Sequence, residues 1–239
     1  MGFRKVGLIW FLFAFAVGST SAQNLAKVFS PDVKSGQSQV ELRVAQNLET
    51  ERTAHRFHYQ HAFSDSWRMR VMWVSKGEEF DDLKWNNLRW EGQWQFREDE
   101  FHAWDSSVRF EIQLAEAEDS PSRLRVAWTG DRKLCDRWSL RGNFLVGQEV
   151  GEHRRDGLLL ELRGQVACKA NDKLTVGMNW FGKLNRSTGL GKYHDQRHEL
   201  GLVAKWKVMT DWAINAQGLV GISKAAQSRG MRLGVSRSW

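Results

Sequence analysis

Three groups of side chains in this 239-residue chain have types and spacings that could do chemistry. The stretch "HRFHYQH" sets His55, His58 and His61 three apart. On an extended strand neighbouring side chains alternate in direction, so His58 points away from His55 and His61. The three do not converge on one ion. A second group, His194, Asp195 and His198 with Ser187 nearby, lies in the loop-like "NRSTGLGKYHDQRH". These are metal-ligand and hydrolase residue types, but a single loop fixes no geometry. A hydrolase is therefore only a minor alternative, and no enzyme, cofactor or metal site is expected.

The third group is the largest. Basic residues recur at alternate positions: Arg43, Arg56, Arg68, Arg70, Arg89, Arg97, Arg109, Arg123, Arg125, Arg141, Arg163, Lys183, Lys205, Lys207 and Arg232. Glu41, Glu91, Glu111, Glu149, Glu161 and Glu199 stand among them. Four Arg/Glu pairs are two apart in sequence, and so share a face of a strand: Glu41/Arg43, Arg89/Glu91, Arg109/Glu111 and Glu161/Arg163. An acid can also meet an Arg on the next strand.

The elements that carry these residues alternate apolar and polar side chains. "QVELRV" sets Val40, Leu42 and Val44 against Glu41 and Arg43; "VRFEIQL" sets Val108, Phe110, Ile112 and Leu114 against Arg109, Glu111 and Gln113. "LRWEGQWQF" and "ELGLVAKWKV" behave alike. Such dyads are half-buried strands. The runs predict twelve of them, near 38–47, 54–63, 67–75, 85–97, 105–116, 122–131, 138–149, 157–169, 173–184, 197–208, 212–223 and 230–239.

The connections alternate as well. They are short after strands two, six, eight and ten, and longer after three, seven and nine; the link after strand four breaks the pattern. Three short turns place a Trp just after an Asp, in "FSDSW", "LCDRW" and "VMTDW", and the Asp is expected to make the local hydrogen bonds of the turn. Trp67, Trp138 and Trp212 then open outward strands, and with Trp239 they predict an aromatic girdle at one membrane interface.

Residues 1–22 read as a secretory signal peptide: Arg4 and Lys5, an apolar run Val6–Val17 and small residues ending at Ala22. The run is too short for a spanning helix, which needs about 20 apolar residues. Residues 23–37 are expected as a periplasmic N-terminal segment and residues 38–239 as the barrel. Removing two positive charges and no acid from a net +7 leaves +5. Thirteen Trp with a mean hydropathy of −0.53 suit aromatic belts better than a soluble core. A soluble β-sandwich or lipocalin-like barrel would alternate in the same way. The terminal Trp, the Trp content, the even strand number and the turn asymmetry favour an antiparallel up-and-down transmembrane β-barrel.

Cys135 precedes strand seven and Cys168 ends strand eight, so antiparallel pairing puts both near one rim. A disulfide between them is one expectation for an exported chain. Two free thiols are the other, since Cys135 sits in a turn and Cys168 on the apolar face.

The segment "VFSPDVKSGQSQVELR" resembles the start of a family of small outer-membrane β-barrel proteins of Gram-negative bacteria, through Val28, Ser30, Pro31, Val33, Gly36 and Glu41. The closing "MRLGVSRSW" is similar to the aromatic-ended last strand of such barrels. The resemblance implies the outer membrane, a lipid bilayer around the wall and assembly through the C-terminal strand; it brings no catalytic residues. On this register the basic set lines the lumen. That predicts a narrow anion-favouring channel for small acidic solutes, or, as the alternative, a non-conducting structural or adhesion barrel filled by an Arg/Glu lattice. The positives are spread along strands and alternate with acids, which excludes a nucleic-acid surface.

Overall fold

The computed structural model describes residues 25–77, 82–96, 104–116, 120–226 and 229–239. The expected signal peptide at 1–22 and Arg97 lie outside the described residues. Twelve strands form: β1 (Ser38–Asn47), β2 (Thr53–Ala62), β3 (Trp67–Gly77), β4 (Lys84–Phe96), β5 (Asp105–Ala115), β6 (Ser122–Lys133), β7 (Trp138–Val150), β8 (Leu159–Lys169), β9 (Leu174–Arg186), β10 (Arg197–Lys207), β11 (Trp212–Gly221) and β12 (Arg229–Ser238). No end differs by more than two residues from the ranges read off the alternation. Each strand pairs antiparallel with its sequence neighbours, and β1 closes on β12 from Gln39↔Ser238 to Asn47↔Gly230. Closure removes every unpaired strand edge, which a spanning sheet requires in hydrocarbon.

The two faces of the wall are inverted relative to a soluble protein. Outward side chains are large, apolar and exposed, among them Leu42, Phe57, Trp73 and Ile112, each about half exposed. Inward side chains are charged and buried: Glu41 is 1% and Arg109 2% exposed. A soluble barrel would put its apolar row inside, so this inversion identifies the fold as a transmembrane barrel.

The short turns share one backbone pattern. The N–H groups of two successive residues donate to one carbonyl: Phe63 and Ser64 to Trp67, Leu134 and Cys135 to Trp138, Ala170 and Asn171 to Leu174, Val208 and Met209 to Trp212. In two of the four turns a side chain reinforces the turn, and it is the one at the second position, not the Asp. Ser64 Oγ accepts from the Ser66 and Trp67 N–H groups, and Asn171 Oδ1 from those of Lys173 and Leu174. Asp211 instead accepts from Arg237 Nε at 2.9 Å. The expected turn role of Asp is corrected accordingly: in both turns one acceptor serves two successive N–H groups, standing two residues before the first and three before the second.

One further expectation changes, and of the two alternatives for the cysteines the free thiols are present. Residues 25–33, expected in the periplasm, run inside the barrel, with Val28, Phe29 and Val33 buried there. Cys135 and Cys168 are free thiols. Cys168 stands opposite Trp138 in the β7–β8 register and so faces outward, while Cys135 borders the internal cavity. The two thiols approach the wall from opposite sides.

Candidate functional site: the barrel lumen

Strand parity places the side chains of the interior. From Glu41 and Arg43 on β1 the register runs through Arg56, His58 and Gln60, Arg68 and Arg70, Arg89, Glu91 and Gln93, and Arg109 and Glu111. It continues through Arg123 and Arg125, Arg141, Asn143 and Glu149, Glu161, Arg163 and Gln165, and Lys183. Glu199, Lys205 and Lys207 on β10 and Arg232 on β12 complete the ring. Each of these side chains points into the lumen. His55 and His61 face outward on either side of the inward His58, so the three histidines are not brought together.

Ion pairing inside is organised around carboxylates. Glu41 is reached by Lys27 at 3.3 Å, Arg56 at 3.1 Å and Arg43. Glu91 is held by Arg70 at 3.1 Å and by Arg109. Glu111 lies 3.7 Å from Arg89 and 3.6 Å from Arg125. Glu149 takes Arg123, Arg155 and Arg186 at 3.3, 2.9 and 2.6 Å. Asp131 pairs with Arg141, and Glu161 with Arg163 at 2.9 Å. Two of the four same-strand pairs, Glu41/Arg43 and Glu161/Arg163, form; Glu91 and Glu111 reach across strands instead. In the loop after β7, the hydrogen bond to Glu149 and its negative charge push the Arg155 guanidinium above its ordinary value.

The N-terminal segment crosses this lattice. Its backbone carbonyl oxygens accept from wall side chains almost one by one. Leu25 O accepts from Arg43 at 3.2 Å and Arg56 at 3.3 Å, Ala26 O from Arg232, and Lys27 O from Arg163 at 2.7 Å. Phe29 O accepts from Asn143 at 3.1 Å, Pro31 O from Gln93 at 2.7 Å and Asp32 O from Arg68 at 3.3 Å. The Phe29 N–H donates to Asn143 Oδ1 at 2.7 Å and the Val33 N–H to Gln95 Oε1 at 2.6 Å. The Phe29 ring packs with Ala127 and Leu145, and the guanidinium carbons of Arg109 and Arg163 lie 3.7 and 4.8 Å from its centroid. Val28 packs on Phe181 and Leu219. Asn143, Gln93 and Gln95 were not singled out by the sequence, although Gln93 and Gln95 sit on the polar face of an alternating run.

Beside the segment lies a cavity of about 600 Å3 lined by Lys27, Glu41, Arg43, Asp131, Lys133, Arg141, Lys169, Lys205 and Arg232, and it reaches the short-turn rim at Cys135, Asp136 and Arg137. Among the described residues no carboxylate lies within salt-bridge reach of Lys133, Lys169, Lys205 or Lys207. Asp32, Asp105 and Asp136 line the cavity too, but its basic residues outnumber its acids, and it has a cationic surplus.

Outside the wall, Trp67, Trp138, Trp212 and Trp239 are exposed at the short-turn rim. Trp94 joins them, stacked on Trp67 at 6.0 Å, and Tyr59 lies 6.5 Å from Trp239. Arg237, which faces outward in this belt, is neutralised by Asp211 and lies 5.7 Å from the Trp212 ring. His198 also faces outward. It is sandwiched between Trp180 at 5.7 Å and Tyr193 at 4.4 Å, while His194 pairs with Asp195 at 3.2 Å and the Ser187 Oγ accepts from the Leu158 N–H. Of the four loop residues His194 and Asp195 contact each other, while His198 and Ser187 are engaged elsewhere. Among the described residues no three His, Cys, Asp or Glu side chains are grouped to hold a metal ion.

No protein-family model matches the chain, and no curated protein does. Solved structures do. The KdgM porin superposes with a TM-score of 0.62 at 12% identity, over 84% of this chain and 99% of that one. The NanC porin gives 0.61 at 12% identity, over 83% and 98%. The KdgM porin is also described in complex with disordered oligogalacturonate. At such identity the likeness is one of fold: this chain has the twelve-stranded architecture of those porins.

Proposed function

We propose that this protein is an outer-membrane channel of a Gram-negative bacterium whose basic lumen favours small acidic solutes. The observation that carries the reading is the cavity of about 600 Å3 with its cationic mouth at Lys133, Lys169 and Lys205. Rings of Arg and Lys lower the barrier for anions and raise it for cations. A charged solute gives up part of its hydration inside a narrow lumen, and fixed cations compensate that loss more strongly than they would in bulk water. The oligogalacturonate described with the KdgM porin is a carboxylated chain of the kind such a lumen suits. Export by a cleaved signal peptide, a surrounding lipid bilayer and assembly through the C-terminal strand, ending at Trp239, belong to the same reading.

A second reading is favoured by one observation: at mid-height Glu41, Glu91 and Glu111 are buried in ion pairs and the segment 25–33 lies across the lumen. That arrangement suits a non-conducting barrel. Planar-bilayer recording separates the two. The channel predicts conductance with a reversal potential shifted toward that of chloride in a KCl gradient. Protein that is folded by heat-modifiable gel migration yet never conducts rejects the channel.

A further inference from the structure

The segment inside the lumen is bound in a way the wall strands are not. Residues 25–34 belong to no strand, and Gly36 opens the backbone-to-backbone hydrogen bonding between described residues of the segment and the wall, its N–H donating to Ala62 O at 2.9 Å. Before that point side chains hold the segment: Arg, Gln and Asn donors read its carbonyl oxygens, and one aromatic and two aliphatic side chains are buried. This is the recognition of an extended peptide ligand, with main-chain hydrogen bonds for affinity and pockets for particular side chains.

The wall does not need the segment. β1 closes on β12 through its own ladder along its whole length, so the barrel stays shut if residues 25–33 leave. A pivot is present. Gly36 has φ +71° with nothing within 4 Å of where a Cβ would stand, and it joins the segment to β1. Only glycine adopts this backbone freely.

We propose that the lumen contains a peptide-binding site whose occupant is the chain's own residues 25–33, and that this occupant is exchangeable. It is a tethered internal ligand, and its release widens the lumen. Departure would free the donors of Arg43, Arg56, Arg163 and Arg232 that now end on peptide carbonyls, and would empty the Phe29 pocket. The tether gives the segment a high effective concentration, so a free peptide competes poorly until the tethered copy is weakened. The effect on conduction rests on the channel reading; the site itself does not.

The test uses the full chain refolded into lipid and its V28S/F29S variant, which keeps the wall and loses two buried anchors. A labelled synthetic peptide of residues 25–36 is titrated against both, and single-channel recordings are made with and without it. The expected results are peptide binding at least tenfold tighter to the variant than to the unaltered protein, and a mean conductance several-fold higher in the variant, restored by the peptide. A peptide carrying Ser at its Phe29 position should restore nothing. Equal or absent peptide binding by a variant that is heat-modifiable overturns the proposal, whatever the conductance. Binding to the variant with no conductance in either protein supports the site and removes the channel reading. Should V28S/F29S fail to fold, F29S alone gives the same comparison, with the same outcomes on each side.

Discussion

At the scale of single residues the lumen is a set of buried charges whose worth depends on their partners. Glu91 is 3% exposed and is shared by Arg70 and Arg109. Glu91→Gln leaves two buried guanidinium groups without their counter-charge. The expected loss is about 3 kcal/mol of unfolding free energy, read from urea unfolding of the protein folded into lipid. Arg237→Ala is the contrasting case. Its ion pair with Asp211 is half exposed at the rim, and the expected change is under about 1 kcal/mol. Facing was legible in the sequence, because on a strand parity alone decides it: every basic residue assigned to the interior and described points there. Partner choice was not legible. Arg spans several residues of reach, so Glu91 and Glu111 find guanidinium groups on neighbouring strands instead of those two places away. Nor could the sequence reveal that Arg163 and Arg232 end on peptide carbonyls, since their acceptors lie more than a hundred residues distant in the chain.

At the scale of elements the repeated five-residue turns and the Trp that follows them form one device. The turn returns the chain through a shared carbonyl acceptor, and that carbonyl belongs to a residue whose side chain faces outward at the short-turn rim. In three of the four turns it is a Trp. Ser64→Ala removes the side-chain acceptor of one turn, at an expected cost of about 1 kcal/mol. Trp67 and Trp94 are stacked with an interplanar angle of 15°. A double-mutant cycle to Ala on this pair is expected to give a coupling of about 0.5–1.5 kcal/mol; additivity of the two single changes would mean that the stack contributes nothing. Strand ends were legible to within two residues because apolar-polar alternation stops where a turn begins. The identity of the reinforcing turn residue was not, because Ser, Asn and Asp share the same acceptor chemistry and only backbone geometry selects among them.

At the scale of the whole molecule, a closed wall surrounds a basic cavity and an internal segment of its own chain. The wall follows from period-2 patterning and the inverted burial of its faces. The internal segment does not. "NLAKVFSPDVK" has no periodicity, and its contacts are to strands spread around the barrel, so nothing local in it specifies a place inside. One small signal was present: Val28 and Phe29 form a large apolar pair between Lys27 and Ser30, and such a pair needs a pocket. If the cationic mouth sets selectivity, Lys205→Glu with Lys207→Glu should move the reversal potential toward that of the cation and leave urea stability within about 0.5 kcal/mol, since both side chains are exposed and without a carboxylate partner among the described residues. The most direct test is the reversal potential of the unaltered, refolded protein in a planar bilayer under a KCl gradient. The account predicts discrete conductance with a potential on the chloride side of zero. A potential on the potassium side, or no conductance from protein that is folded and inserted, would contradict it.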